Sequence, residues 1–513
     1  MFGGTHVISG QSYKVRGEVP GVPKPATYTT FFSQGSFVSK LRSKEKTVKS
    51  KVSYDYDLIV LGCGPAGQRA AIQAAKVRKK VAIVDQREVV GGVCVNTGTI
   101  PSKSFKEAVL FLSGYRQRNI YGAGYRVKTD IQMSDLTFRC NRIMAAEIEV
   151  IKAQLARNQV EVYSGHAGFI DPHTIEIRSH SGVIRKTAAF VVVATGAVPH
   201  RPNNVKFNGR TIFDSDDILN LKKLPRELTV VGGGVIGTEY ASMFAALGVH
   251  VTIIDARKRL LGFVDEEVIE CLQYQMRSMG LTLRLGEEVK SCAPRDDGQV
   301  VTQLKSGKVI VSDCVLFSAG RTSATHNLGL ENIGIKPDDR GRITVNEHYQ
   351  TEVPHVYAAG DVIGFPALAS TSSAQGRLAS AHIFGIKDKR MDVPLPFGIY
   401  SIPEISYVGM NEEELTAKEI PYETGLARYR EIARGHIIGD ENGLLKVLFH
   451  RKTGQVLGVH IIGESATELI HIGQAVIALK GGLRYLKDAV FNYPTLAECY
   501  KVAALDGYNK LRA

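Results

Sequence analysis

No stretch of the chain approaches the ~20 consecutive apolar residues that a membrane-spanning helix requires, so the sequence predicts a protein without a membrane partner. Paired cysteines are missing as well. The seven cysteines (Cys63, Cys94, Cys140, Cys271, Cys292, Cys314 and Cys499) are odd in number, scattered and contain no Cys-x-x-Cys. That pattern excludes a disulfide framework and a zinc ribbon, predicts no metal site and points to a reducing compartment. Nor is the chain short of core-forming residues: 44% are hydrophobic and 22% charged, which excludes disorder of the whole chain. Its 513 residues suggest about three domains.

The net charge of +13 does not mark a nucleic-acid groove. Residues 1–52 hold nine basic side chains against two acids, a surplus of seven, which leaves six spread over the other 461 residues. The excess therefore belongs to a basic N-terminal extension, residues 1–54, rich in Ser, Gly and Pro. Two readings of it stay open. It resembles a transit peptide in being basic, hydroxylated and poor in acids; yet MFGGTHVISG makes a poor amphipathic helix, as expected of a merely solvated extension. The address is accordingly cytoplasmic or mitochondrial matrix.

From Tyr54 onward short Val/Ile-rich runs recur, each closed by glycine or an acid: DLIVLGCG (57–64), KVAIVD (80–85), AFVVVATG (189–196), ELTVVGGG (227–234), HVTIID (250–255), CVLFSAG (314–320) and HVYAAGD (355–361). Such runs predict parallel strands buried on both faces. Helical patterns lie between them, at 66–80 and 237–248, so the fold class is α/β. A strand–glycine–helix–strand–acid unit occurs twice, near 57–85 and 228–255, predicting two Rossmann-like nucleotide-binding modules. Beyond Pro394, GLLKVLFH (443–450) and GQVLGVHII (454–462) read as antiparallel strands, with helices expected around 465–480 and 496–511. This is a third, α+β domain.

In Gly62-Cys63-Gly64-Pro65-Ala66-Gly67 the first glycine permits a tight turn. The second lets a pyrophosphate approach the backbone, and the third lets helix pack on strand. The helix N-terminus supplies free N–H groups to phosphates, and Asp85 is placed to accept ribose hydroxyls. Gly232-Gly233-Gly234-Val235-Ile236-Gly237 repeats the arrangement and ends in Asp255. There Arg257 and Arg259 follow the acid. A carboxylate favours NAD, whereas arginines clamp a 2′-phosphate, so the cluster predicts a site that accepts both NAD and NADP. A solvated surface patch is the plainer alternative for the two arginines.

Between the modules, Gly91-Gly92-Val93-Cys94-Val95-Asn96-Thr97-Gly98-Thr99-Ile100-Pro101-Ser102-Lys103 closely resembles the redox-active segment of the flavoprotein disulfide reductases. The resemblance runs on through Ala194-Thr195-Gly196, Gly320-Arg321, Ala359-Gly360-Asp361 and Ser401-Ile402-Pro403-Glu404, in the family's order, over residues 55–513. It implies FAD in the first module and a nicotinamide nucleotide in the second. It also implies a homodimer in which the partner's C-terminal domain completes the flavin site. The implied divisions are an FAD-binding domain in two parts (55–200 and 321–392), an NAD(P)-binding domain (201–320) and a dimerisation domain (393–513). FAD contacts are implied at the first fingerprint, Asp85, Gln86, Gly91, Gly92, Cys94, Lys103, Ala167, Thr195, Gly196, Asp361 and Ala369. For NAD(P) they fall at Gly232, Gly234, Ile236, Gly237, Asp255, Arg257, Arg259, Val289 and Gly320.

Two departures carry functional information. Disulfide reductases need Cys-x4-Cys, and here Cys94 is followed by Thr99, whose hydroxyl has no redox chemistry. They also need a His-Pro-Thr…Glu to shuttle the thiol proton. Here Phe491-Asn492-Tyr493-Pro494-Thr495…Glu498 puts Tyr493 at the histidine position, and a phenol, ionising at ~10, is a poor base near neutrality. Both departures resemble the soluble pyridine nucleotide transhydrogenases. That resemblance implies an Si-type, ping-pong hydride transfer from NADPH to flavin N5 and on to NAD, or the reverse, through one nucleotide site. Lys103 is implied beside flavin N5 with Glu239 as its partner. The sulfur of Cys94 reads as a small apolar group. An NAD(P)H:quinone or dye reductase and a non-catalytic flavoprotein subunit are the other readings of the same parts.

Overall fold

The computed structural model describes residues 53–387 and 394–511. Residues 1–52 of the basic extension, and with them the question of the compartment, lie outside the described residues.

The first sheet has seven strands. Tyr56–Leu61 lies at its centre, parallel to Val81–Asp85 on one side and to Gly182–Val193 on the other. Registers such as Val60↔Ile83 and Val60↔Val192 set the apolar runs side by side. Glu161–Ser164 pairs outside Val81–Asp85, and Val356–Ala358 returns from far along the chain to pair with Gly182–Val193. Alternate side chains of the central strand enter different cores: Leu58 and Val60 join one cluster, Ile59 and Leu61 the other. A strand buried on both faces cannot alternate polar with apolar residues, which is why these runs read as continuous.

The helix that follows, Pro65–Lys76, is shorter than the apolar pattern over 66–80 suggested. The chain leaves it at Val77, and Arg78 takes a left-handed φ of 60°. The helix packs on Ala369–Ile383 at very close range. A Cβ on Gly376 would lie 2.0 Å from the Ala66 carbonyl oxygen, so only glycine permits the approach.

The second sheet is fully parallel, in the order Thr282–Leu285, His250–Asp255, Glu227–Val231, Cys314–Phe317, Ile212–Asp214. Its helix, Val235–Ala246, is buried along most of its length, among residues from both modules and from the C-terminal part. Two features left no mark in the apolar pattern: the antiparallel excursion at 166–179, and the meander of Val289–Pro294, Val300–Leu304 and Val309–Ser312.

The C-terminal part carries a five-stranded antiparallel sheet that includes Leu444–His450 and Val456–Ile462. Helices Ala466–Ala478 and Glu498–Lys510 follow. Lys446 of this sheet is 1% exposed, and its ammonium reaches Asp265 (3.0 Å), Glu267 (3.1 Å) and Glu412. Burial alone would discharge it, but the carboxylates of Glu412 and Asp265 outweigh burial and raise its pKa. Asp265 and Glu267 belong to the second module, so this buried cation ties that module to the C-terminal sheet.

Candidate active site

The first glycine loop is built by three different constraints. Gly62 leaves its strand at φ +105°, and a Cβ there would lie 2.3 Å from the Ala194 carbonyl oxygen. A Cβ on Gly67 would lie 1.9 Å from the carbonyl oxygen of Gly62. Gly64, the N-cap of Pro65–Lys76, has open space where its Cβ would stand. That space belongs to a cleft of about 1100 Å³. Among the residues assigned to FAD from the sequence, Gly62, Gly64, Pro65, Ala66, Asp85, Gln86, Gly92, Cys94, Ala167, Thr195, Gly196, Asp361 and Ala369 line the cleft, as does Thr99. Gly67 packs beneath the loop, Gly91 caps the short helix Gly92–Asn96, and Lys103 lies outside the lining.

The cleft suits a dinucleotide by its own geometry. Asp85 accepts the N–H of Cys63 at 2.6 Å and that of Arg87 at 2.9 Å, which fixes its carboxylate at the cleft wall. Thr195, in the cleft lining, has a buried hydroxyl without a hydrogen-bond partner. Asp361 is held above the ordinary carboxyl range by burial, which the nearby Arg321 charge and a hydrogen bond from Ser372 only partly offset. The N-terminus of the helix Pro65–Lys76 opens on the same side without a side-chain cap, where its first N–H groups would suit phosphates.

Cys94 and Thr99 stand at this cleft. Burial pushes the Cys94 thiol up, and a hydrogen bond with Thr99 counters it only in part, so the sulfur is a neutral thiol near pH 7. The cysteines at 63, 94, 140, 271, 292, 314 and 499 are all free.

Lys103 projects from Thr99–Leu112, and its ammonium meets Glu239 Oε2 at 2.7 Å. Glu239 sits on the second glycine-loop helix and is 3% exposed. Its other oxygen accepts the backbone N–H of Tyr400 at 2.8 Å. Tyr400 is a member of the site that the sequence did not indicate. So is Lys106, buried against Glu404 at 2.5 Å. Glu404 was visible in its motif, but nothing near either residue in the chain signals a contact across 298 positions.

The second loop repeats the first: Gly232 at φ +106°, Gly237 with its Cβ position 1.9 Å from the Gly232 carbonyl oxygen, and Gly234 open. Asp255 accepts the N–H of Gly233 at 2.5 Å and that of Arg257 at 2.8 Å. It also holds the Arg257 guanidinium by two bonds, at 2.9 and 2.7 Å. Burial would raise the Asp255 pKa, but Arg257 and the backbone donors more than reverse this and hold it below the ordinary range.

Arg259 turns elsewhere, to Glu413 (3.2 Å), Glu266 (3.4 Å) and the carbonyl of Gly262. The structure thus gathers Asp255 with Arg257 and does not bring Arg259 to them. Ile236 lies in the first turn of the second helix, Val289 opens the meander, and Gly320 at φ +103° precedes Arg321. Tyr493 is 74% exposed, and Glu498 keeps one buried oxygen without a partner. Neither lines the cleft of its own chain.

Comparison with known proteins gives a consistent picture. Residues 56–376 match the family described as pyridine nucleotide-disulphide oxidoreductase, and residues 395–504 match the dimerisation domain of that name. A soluble pyridine nucleotide transhydrogenase of Mycobacterium tuberculosis is 52% identical over 461 residues, covering 90% of this chain and 98% of the relative. A protein of the same name from Colwellia psychrerythraea is 43% identical, covering 90% and 99%. Among solved structures, LpdA from Mycobacterium tuberculosis superposes with a TM-score of 0.81 at 27% identity, over 87% of this chain and 98% of that one. The HOCl-induced flavoprotein disulfide reductase RclA from Escherichia coli gives 0.80 at 26%, over 88% and 99%.

Proposed function

The chain belongs to the pyridine nucleotide-disulphide oxidoreductase family, and from that premise we propose that it is an FAD-dependent transhydrogenase exchanging hydride between NADPH and NAD, in either direction. The observation that carries the reading is the pairing at the cleft of one neutral thiol, Cys94, with Thr99 in place of a second sulfur. A dithiol relay to a disulfide substrate needs both sulfurs. The remaining parts are those of nucleotide exchange.

FAD bound in the cleft would supply the hydride chemistry. Asp85 accepts ribose hydroxyls, the N-terminus of Pro65–Lys76 faces the diphosphate, and Thr195 offers its free hydroxyl. Lys103, anchored by Glu239, keeps a positive charge fixed beside the flavin, where it favours developing negative charge. At the second loop, Asp255 serves the 2′-hydroxyl of NAD. For NADP the same carboxylate yields Arg257 to the 2′-phosphate, so a single site serves both nucleotides in turn. Residues 395–504 join two chains, and the exposed Tyr493 with Glu498 faces the flavin site of the partner.

The direct test mixes NADPH with thio-NAD and, in parallel, with a quinone. Reduction of thio-NAD at a rate well above that of the quinone is expected. Fast quinone reduction with negligible thio-NAD turnover would overturn the proposal.

A further inference from the structure

We infer that Tyr400 is a positioning residue whose ring holds the Lys103 ammonium in place for hydride transfer at the flavin, an inference that rests on the proposed placement of Lys103. The segment 400–404 lies against two helices at once. On the second glycine-loop helix, the Tyr400 N–H binds Glu239 and the Ile402 N–H binds Ser242 Oγ at 2.9 Å. On the other helix, Glu404 takes Lys106. The Tyr400 ring lies against both ammonium groups of that helix, with its centroid 4.7 Å from Lys103 Nζ and 5.5 Å from Lys106 Nζ.

Lys103 and Lys106 are three residues apart, so their charges share one helix face and repel. Each has its own carboxylate, Glu239 or Glu404. The negative face of the tyrosine ring attracts both cations and favours their standing side by side. The two lysines differ in freedom: the side chain of Lys106 is 3% exposed and that of Lys103 26%. Close packing and the Glu404 pair confine Lys106. Lys103, at the more open end, depends on one ion pair and the ring. Without the ring the Glu239 pair is the one contact left of the two, and the ammonium at the open end has more room to shift toward solvent. The tyrosine hydroxyl has a separate partner, Thr467, itself bound to Glu404; the ring is therefore the part that matters to Lys103.

The test replaces only the side chain, leaving the backbone bond to Glu239 intact. In the FAD-loaded dimer, Tyr400→Leu is expected to slow flavin reduction by NADPH about 5- to 30-fold, the range for a desolvated cation–ring contact. The Kd for NADPH should stay within about twofold, and the midpoint potential of the bound FAD should become more negative. Tyr400→Phe keeps the ring and should retain both the rate and the potential. Tyr400→Met carries the same expectation as the leucine variant and replaces it should that variant release FAD. In a Lys103→Met background the leucine substitution should add nothing to the shift in potential. A wild-type potential in Tyr400→Leu overturns the inference. So does a phenylalanine variant as impaired as leucine, or an undiminished shift in the Lys103→Met background. A protein that transfers no hydride to NAD would sink the transhydrogenase reading and still leave these potentials to be measured.

Discussion

The two glycine loops share a backbone and differ in one partnership. Gly62 and Gly232 turn at φ +105° and +106°, Gly67 and Gly237 press equally close to those turns, and Asp85 and Asp255 accept the same pair of backbone N–H groups. The side chain of the arginine two residues after the acid breaks the symmetry. Arg87 reaches away from Asp85 toward Asp216, at 3.9 Å, whereas Arg257 folds back on Asp255. The first acid thus has no arginine folded on it, as the proposed resident FAD would require. The second is paired with an arginine, as the proposed exchange of nucleotides differing by one phosphate would require.

The sharpest way to break this comparison is to remove the shared frame one loop at a time. A Cβ 1.9 Å from a backbone oxygen cannot be accommodated by turning a side chain, and such overpacking costs about 1–3 kcal/mol, occasionally more. Gly67→Ala is expected to purify colourless, by its absorbance near the flavin band. Gly237→Ala should stay yellow and be reduced by dithionite but not by NADPH. Loss of FAD from both variants would mean that the loops do not act separately.

A smaller effect tests the asymmetry itself. Arg257→Ala should weaken NADP about ten- to 150-fold relative to NAD, the worth of one charge-assisted hydrogen bond of ~1.5–3 kcal/mol. Asp255→Ala should harm NAD more, and Arg87→Ala should leave FAD retention unchanged. Equal losses for both nucleotides, by titration of the bound flavin's fluorescence, would remove Arg257 as the discriminating group. Arg259→Ala should change NADP affinity less than about fivefold, because its partly exposed bonds to Glu413 and Glu266 are of the ~0.2–1 kcal/mol class. A loss as large as that of Arg257→Ala would return it to the phosphate.

The last effect is a factor of about two, at the first loop's cleft. With a neutral Cys94 thiol and Thr99, anaerobic dithionite titration should bleach the flavin with about two electrons per FAD, without a long-wavelength thiolate band. About four would mean that another cysteine pair has taken over.

Some of this was legible in the chain because the information is local. A glycine loop carries its own turn, helix start and acid within about 25 residues, so both modules could be read before any contact was known. Lys103 and Glu239, 136 positions apart, meet at 2.7 Å because each stands at a fixed offset in its own readable motif. Tyr400 and the Lys106–Glu404 pair lie where three segments meet, and no periodicity encodes such a meeting. Arg257 and Arg259 show the opposite limit. Neighbours in sequence suggested one clamp, yet the bend at 256–262 sends one guanidinium to Asp255 and the other to the C-terminal part.

Lys446 bears on how the molecule handles its traffic. Stripping this lysine from Asp265, Glu267 and Glu412 would leave buried charges uncompensated, at a cost of about 3–5 kcal/mol. A hinge that swung the second module away from the C-terminal sheet would incur that cost at every opening. The three carboxylates around one buried ammonium thus act as a clasp that works against such a hinge.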